Sequence, residues 1–155
     1  MSQIGGSGAI LLADDDADDR MLVRDALADC GATNPLICVE DGEALLAYLR
    51  QVGPYAEPGR APRPSLILLD LNMPKKDGRE ALKEIKDDPD LVDIPVVVLT
   101  TSTAAKDTER SYELGASSVV VKPVTYVGLV LLIQGVLDAW LTAPAQSDAA
   151  GEDQL

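Results

Sequence analysis

A chain of 155 residues that is 46% apolar suits one compact domain with a sizeable core, although it holds no Phe, so Ala, Val and Leu must do most of the packing. Its net charge of −13 argues against nucleic acid, whose phosphates need Lys/Arg patches, and favours a metal ion or a basic protein surface as partner. The absence of histidine excludes a Ser-His-Asp triad, a His-based zinc site and any role as phosphohistidine donor.

In chain order, residues 1–8 have no charged segment leading into an apolar one, so they read as a flexible N-terminus rather than a signal peptide. Ala9–Ala13 is a short apolar run, hence a buried strand. Acids follow, and then Val23, Ala26, Leu27 and Cys30 at helical spacing, with Gly31 closing the helix. Leu36–Val39 predicts a second strand and Glu43–Arg50 a helix behind Asp41-Gly42. Gln51–Ser65, with four prolines and little periodicity, predicts an exposed loop. Leu66–Leu69 and Val96–Leu99 are the third and fourth strands, separated by a helix over Arg79–Lys86. A helix over Ala105–Leu114, closed by Gly115, leads to a fifth strand at Ser118–Val121. A last helix runs from Thr125 to about Leu141. Its apolar stretch Val127–Ile133 stops at Gln134, too short to span a membrane. Residues 9–142 thus form the folded domain, and 143–155 an acidic flexible tail that leaves no room for a further output domain.

Continuous apolar strands are buried on both faces, which implies a parallel sheet covered by helices on each side. The expected fold is a three-layer, doubly wound (βα)5 α/β domain, in which ligands bind beyond the carboxyl ends of the strands. The strand-end residues are therefore the candidates for chemistry. The first strand delivers Asp14, Asp15 and Asp16, the third Asp70, the fourth Thr100, Thr101 and Ser102, and the fifth Lys122 followed by Pro123. If the first strand is central with the third beside it, Asp14 or Asp15 meets Asp70. Carboxylates so close repel, and a hard divalent cation removes that repulsion. Mg²⁺ takes one or two carboxylates, a carbonyl, waters and a phosphate oxygen. Asp70 then becomes a nucleophile toward a phosphoryl group. The Mg²⁺, Lys122, and the Thr100 hydroxyl with a backbone N–H near Thr101 would each meet one equatorial oxygen.

Four motifs in order, "ADDD", "LLDLNMPKKDG", "VVVLTTS" and "VVVKPV", resemble the receiver domain of two-component response regulators, the CheY-like family, over about Ile10 to Leu141. The resemblance implies a flavodoxin-like strand order 2-1-3-4-5 and a cytoplasmic signalling switch rather than an enzyme. It implies that Asp70 is the phosphoacceptor, and that Asp15, Asp70 and the Asn72 carbonyl hold Mg²⁺ with Asp14 assisting through water. It further implies Thr100 as the switch hydroxyl, Lys122 as the phosphate-pairing lysine, and a cis Lys122–Pro123 bond. "APRP", "LNMPKKDGRE", "RSYELGA" and "AWL" resemble, more narrowly, single-domain regulators of bacterial phytochrome histidine kinases, so a sensor histidine kinase of bacteriophytochrome type is the implied donor. Where the family usually carries an aromatic three residues before the lysine, this chain has Val119, so its output is expected through shifts after the fourth strand. Two alternatives stand beside this reading. One is a small aspartyl-phosphate phosphatase, for which Asn72 replaces the acid expected two residues after the nucleophile. The other is a degenerate receiver that binds partners without phosphate.

Three expectations remain. Asp16, Asp18 and Asp19 read as solvated residues favoured by the helix dipole. Cys30 and Cys38 read as small buried hydrophobes in a reducing compartment. The last helix carries only a narrow polar stripe, Gln134, Asp138 and Thr142, so packing one face on the sheet leaves an apolar surface, Trp140 or a neighbour included, for a homodimer through that helix.

Overall fold

The computed structural model describes residues 8–71, 73, 77–101 and 105–142. The strands β1 (Ile10–Ala13), β2 (Leu36–Val39), β3 (Leu66–Asp70), β4 (Val96–Thr100) and β5 (Ser118–Val121) form one parallel sheet in the order β2-β1-β3-β4-β5. The helices are α1 (Ala17–Asp29), α2 (Gly42–Arg50), α3 (Gly78–Asp87), α4 (Ala105–Glu113) and α5 (Tyr126–Leu137), as the doubly wound reading expects. No helix of the described residues is long and apolar enough to cross a membrane.

Strand side chains alternate between two cores. Leu11, Ala13, Ile67, Leu69, Val96 and Val98 face α2 and α3, meeting Leu45, Leu46, Leu82 and Ile85. Ile10, Leu12, Leu66, Leu68, Val97 and Leu99 face α1 and α5, meeting Val23, Ala26, Leu27, Ile133, Val136 and Leu137. Because β1, β3 and β4 are buried on both faces, their sequences are uninterrupted apolar runs, which is why they were legible. Asp41 caps α2 by accepting from the Ala44 N–H at 2.7 Å, and Asp77 and Glu80 close a capping box at the start of α3. Gly31, just past α1, has φ 77°, the left-handed conformation expected of a glycine that ends a helix.

Gly78 is fixed by proximity instead. Its N–H donates to the Leu71 carbonyl at 3.0 Å, and a Cβ there would stand 2.6 Å from both the Asp70 carbonyl oxygen and the Leu71 Cα. The first turn of α3 is thereby pressed against the end of β3, where Asp70 sits.

At its C-terminal end α5 continues into a wider π-type turn over Asp138–Thr142. Leu137 and Leu141 are buried, and Trp140 is half-buried against the α1/α5 core. The exposed apolar surface lies toward the start of this helix instead of around Trp140: Val127 is 69% and Leu131 68% exposed, and Val124, two residues before the helix, is 100% exposed. In a helix apolar almost all round, periodicity alone does not tell which face turns inward. Cys30 and Cys38 are free and only half-buried: the Cys30 Sγ donates to the Val130 carbonyl at 3.5 Å, and the Cys38 Sγ lies 3.7 Å from the Arg24 guanidinium.

Candidate phosphoacceptor and metal site

Parallel pairing brings the predicted residues to one edge of the sheet. Ala13 lies opposite Leu69, so Asp14 and Asp70 leave adjacent strands at the same level. Asp70 is level with Leu99, and Thr100 with Val121, one residue before Lys122. Asp14 is 1% exposed and its N–H donates to the Val39 carbonyl at 3.0 Å. Its Oδ1 accepts the Asp16 N–H at 2.9 Å, which fixes the carboxylate's rotation. Its carbonyl accepts from Arg20 at 2.8 Å. Asp70 and Thr100 are also buried, whereas Asp15 is exposed.

Oxygens of Asp14, Asp15 and Asp70 all lie within 4.8 Å of one another, the spacing of a shared cation. Lys122 enters from β5. Its N–H donates to the Thr100 carbonyl at 2.7 Å, and its Nζ lies 3.3 Å from Asp14 Oδ2 and 3.5 Å from Asp70 Oδ2. The same ammonium lies 3.1 Å from Asp19 Oδ2. Asp19 therefore belongs to this constellation, and the expectation of a merely solvated helix-start acid is corrected. Nothing in the run of acids singles out Asp19, since each of them suits a helix start. Asp16 is exposed but also structural: it caps α1, accepting from the N–H groups of Asp18 at 2.8 Å and Asp19 at 3.3 Å.

The charges do not balance. Burial pushes the Asp14 carboxyl above its ordinary value, and Asp70 and Asp19 push the same way, against the Asp16 N–H and Lys122. Burial alone would lower Lys122, but Asp14, Asp70 and Asp19 together outweigh it and hold the ammonium protonated above its ordinary range. One cation thus faces three carboxylates, with Asp15 beside them. The donor set is hard, oxygen-only and over-charged, and fits a divalent cation.

One expectation changes. The Lys122–Pro123 bond is not cis; no cis bond occurs among the described residues, in line with the modest trans preference of X–Pro, about 0.5–1 kcal/mol. Val119 is half-buried against the α2/α3 core, and its N–H donates to the Tyr112 hydroxyl at 3.2 Å. Asn72 and Ser102 lie outside the described residues.

Residues 10–134 match the response regulator receiver domain. The chain belongs to the response regulator receiver family. Among proteins similar to this receiver, response regulator Rcp1 of Synechocystis sp. is 47% identical over 139 residues, spanning 88% of this chain and 92% of its own length. The structure of the phosphorylated cyanobacterial phytochrome response regulator RcpA matches with a TM-score of 0.81 at 44% identity, over 88% of this chain and 96% of that one. The Mn²⁺-bound form of Rcp1 matches with a TM-score of 0.78 at 46% identity, over 86% and 94% of the two chains. The receiver is thus a response regulator homologous to phytochrome response regulators, and the phosphatase and phosphate-independent readings are not favoured.

Proposed function

We propose that this receiver accepts a phosphoryl group on Asp70 from the phosphohistidine of a sensor histidine kinase of phytochrome type, in the cytoplasm and with Mg²⁺, and signals by altered protein binding. The ion would be held by Asp15, Asp70 and the Asn72 carbonyl, with Asp14 assisting through water. When bound, it supplies neutralisation of one equatorial phosphoryl oxygen. An Asp70 carboxylate oxygen attacks phosphorus, and the P–N bond to the kinase imidazole breaks with its electron pair leaving on nitrogen. Lys122 pairs with a second phosphoryl oxygen, and the Thr100 hydroxyl with the N–H of Thr101 meets the third. Burial of Asp14 and the Asp16 N–H bond to it keep the carboxylates aligned before the donor arrives.

The observation that carries this reading is the Lys122 ammonium, 3.3 Å from Asp14 and 3.5 Å from Asp70. A lysine from a third strand end stands where a phosphoryl group on Asp70 would need a cation. The phytochrome-type donor is supported by the similarity to Rcp1 and RcpA. Phosphotransfer profiling against purified, autophosphorylated histidine kinases tests it: rapid label transfer from phytochrome-type kinases is expected, and transfer only from other classes would overturn the partner assignment.

The proposal includes a homodimer through α5. Val127 and Leu131, four residues apart, form an exposed stripe along one face of the helix, and Gly135 continues it with open space in front. An apolar stripe ending in a glycine lets a second helix approach closely.

A further inference from the structure

The ammonium of Lys122 has three N–H donors and faces three carboxylates, at 3.1 Å to Asp19, 3.3 Å to Asp14 and 3.5 Å to Asp70. A phosphoryl oxygen on Asp70 would take the place of the Asp70 carboxylate contact, but it stands one P–O bond farther out, so the ammonium must shift toward it and another of its bonds must lengthen or give way. Asp14 is poorly suited to yield: it is 1% exposed, and its other oxygen is fixed by the Asp16 N–H. Asp19 is suited. Its side chain is 39% exposed, so water can replace the ammonium, and it stands on α1 rather than at a strand end. Beside the pair is a cavity of about 120 Å³ between α1 and the segment after β5, lined by Asp19, Leu22, Lys122, Pro123 and Tyr126 among others, so the Asp19–Lys122 pair is not clamped by packed side chains on that side.

We propose that Asp19 is a positioning residue that holds Lys122 toward α1 in the resting receiver and releases it to the phosphoryl group. This rests on Asp70 being the phosphoacceptor. The bond to Asp19 opposes phosphorylation, because it holds the ammonium back toward α1 when the phosphoryl oxygen draws it outward. Asp19 thereby sets how readily the site fills, without touching the phosphorus itself.

Beryllofluoride, which mimics a phosphoryl group on a carboxylate, tests this in calorimetric titrations of the full chain at saturating Mg²⁺. Asp19→Asn is expected to bind it about threefold to fivefold more tightly than the wild type, the range of one half-exposed ion pair. Asp19→Glu, which keeps the charge, should stay near the wild type. In a Lys122→Met background the gain from Asp19→Asn should vanish, since there is no lysine to release. Equal or weaker binding by Asp19→Asn overturns the proposal, and so does an undiminished gain in the Lys122→Met background, which would reveal only a general charge effect. If the wild type does not bind beryllofluoride, or Asp70→Asn binds it equally well, the phosphoacceptor reading fails and this inference falls with it.

Discussion

Replacing Lys122 by Met leaves the acidic pocket without its cation, and the structure sets the scale of the consequence. Removing one partner of a buried ion pair costs about 3–5 kcal/mol, because the other charge stays behind. Here the loss is smaller, since the Lys122 side chain is 19% exposed, Asp19 meets water, and Asp14 can take up a proton. About 2 kcal/mol is expected without divalent ions, which for a domain of this size lowers Tm by about 4–8 °C. Burial already raises the Asp14 carboxyl above its ordinary value of 3.8, so the folded state binds that proton more tightly than the unfolded chain and loses stability as pH rises through this window. Without Lys122 the window extends to higher pH, and the gap between variant and wild type should shrink on acidification. Mg²⁺ should then stabilise the variant more than the wild type, because the ion meets the same carboxylates without a competing ammonium; a hundredfold excess over Kd contributes about 2.7 kcal/mol. Thermal melts in chelator and in Mg²⁺, at neutral and mildly acidic pH, read all three effects. A variant as stable as the wild type in chelator, or stabilised no more than it by Mg²⁺, would refute the charge argument.

Gly78→Ala should destabilise the fold by about 1–3 kcal/mol and weaken divalent-ion binding, since its Cβ meets the backbone of Asp70 and Leu71; denaturant melts and a metal titration check this, and unchanged values would show that α3 does not brace β3. Val127→Glu combined with Leu131→Glu should give a folded monomer by light scattering and circular dichroism, as both positions are exposed; a mass equal to that of the wild type retires the α5 dimer. The stability that Lys122 contributes is fully present below its ordinary pKa of 10.5 and is lost as pH rises through its higher folded value. Alkaline denaturation should therefore narrow the difference between wild type and Lys122→Met, and a constant difference would contradict the raised pKa.

The sheet was readable because β1, β3 and β4 are buried on both faces and must be apolar throughout. Once the first and third strands are neighbours, Asp14 and Asp70 have to meet, and Lys122 follows from a strand ending two places along the sheet. Asp19 was not readable in the same way. A run of acids at a helix start has a sufficient local explanation in the dipole and the cap, and only coordinates show which acid turns toward β5. Leu137 and Trp140 illustrate a different limit. In a helix with apolar residues on nearly every side, sequence gives an excess of apolar surface but not its direction, and the core takes these two while Val127 and Leu131 stay outside. The close approach at Gly78 was equally silent, because a glycine after Asp77 reads as an ordinary turn residue whether or not a strand end lies against it.

The central claim is that Asp70 takes phosphorus chemistry within an acid set that a divalent ion and Lys122 neutralise. Its most direct measurement is the intact mass of the protein after incubation with a small acyl phosphate and Mg²⁺. The wild type should gain the mass of one phosphoryl group, which chelator prevents and Asp70→Asn does not acquire. The same gain persisting in Asp70→Asn would contradict the account.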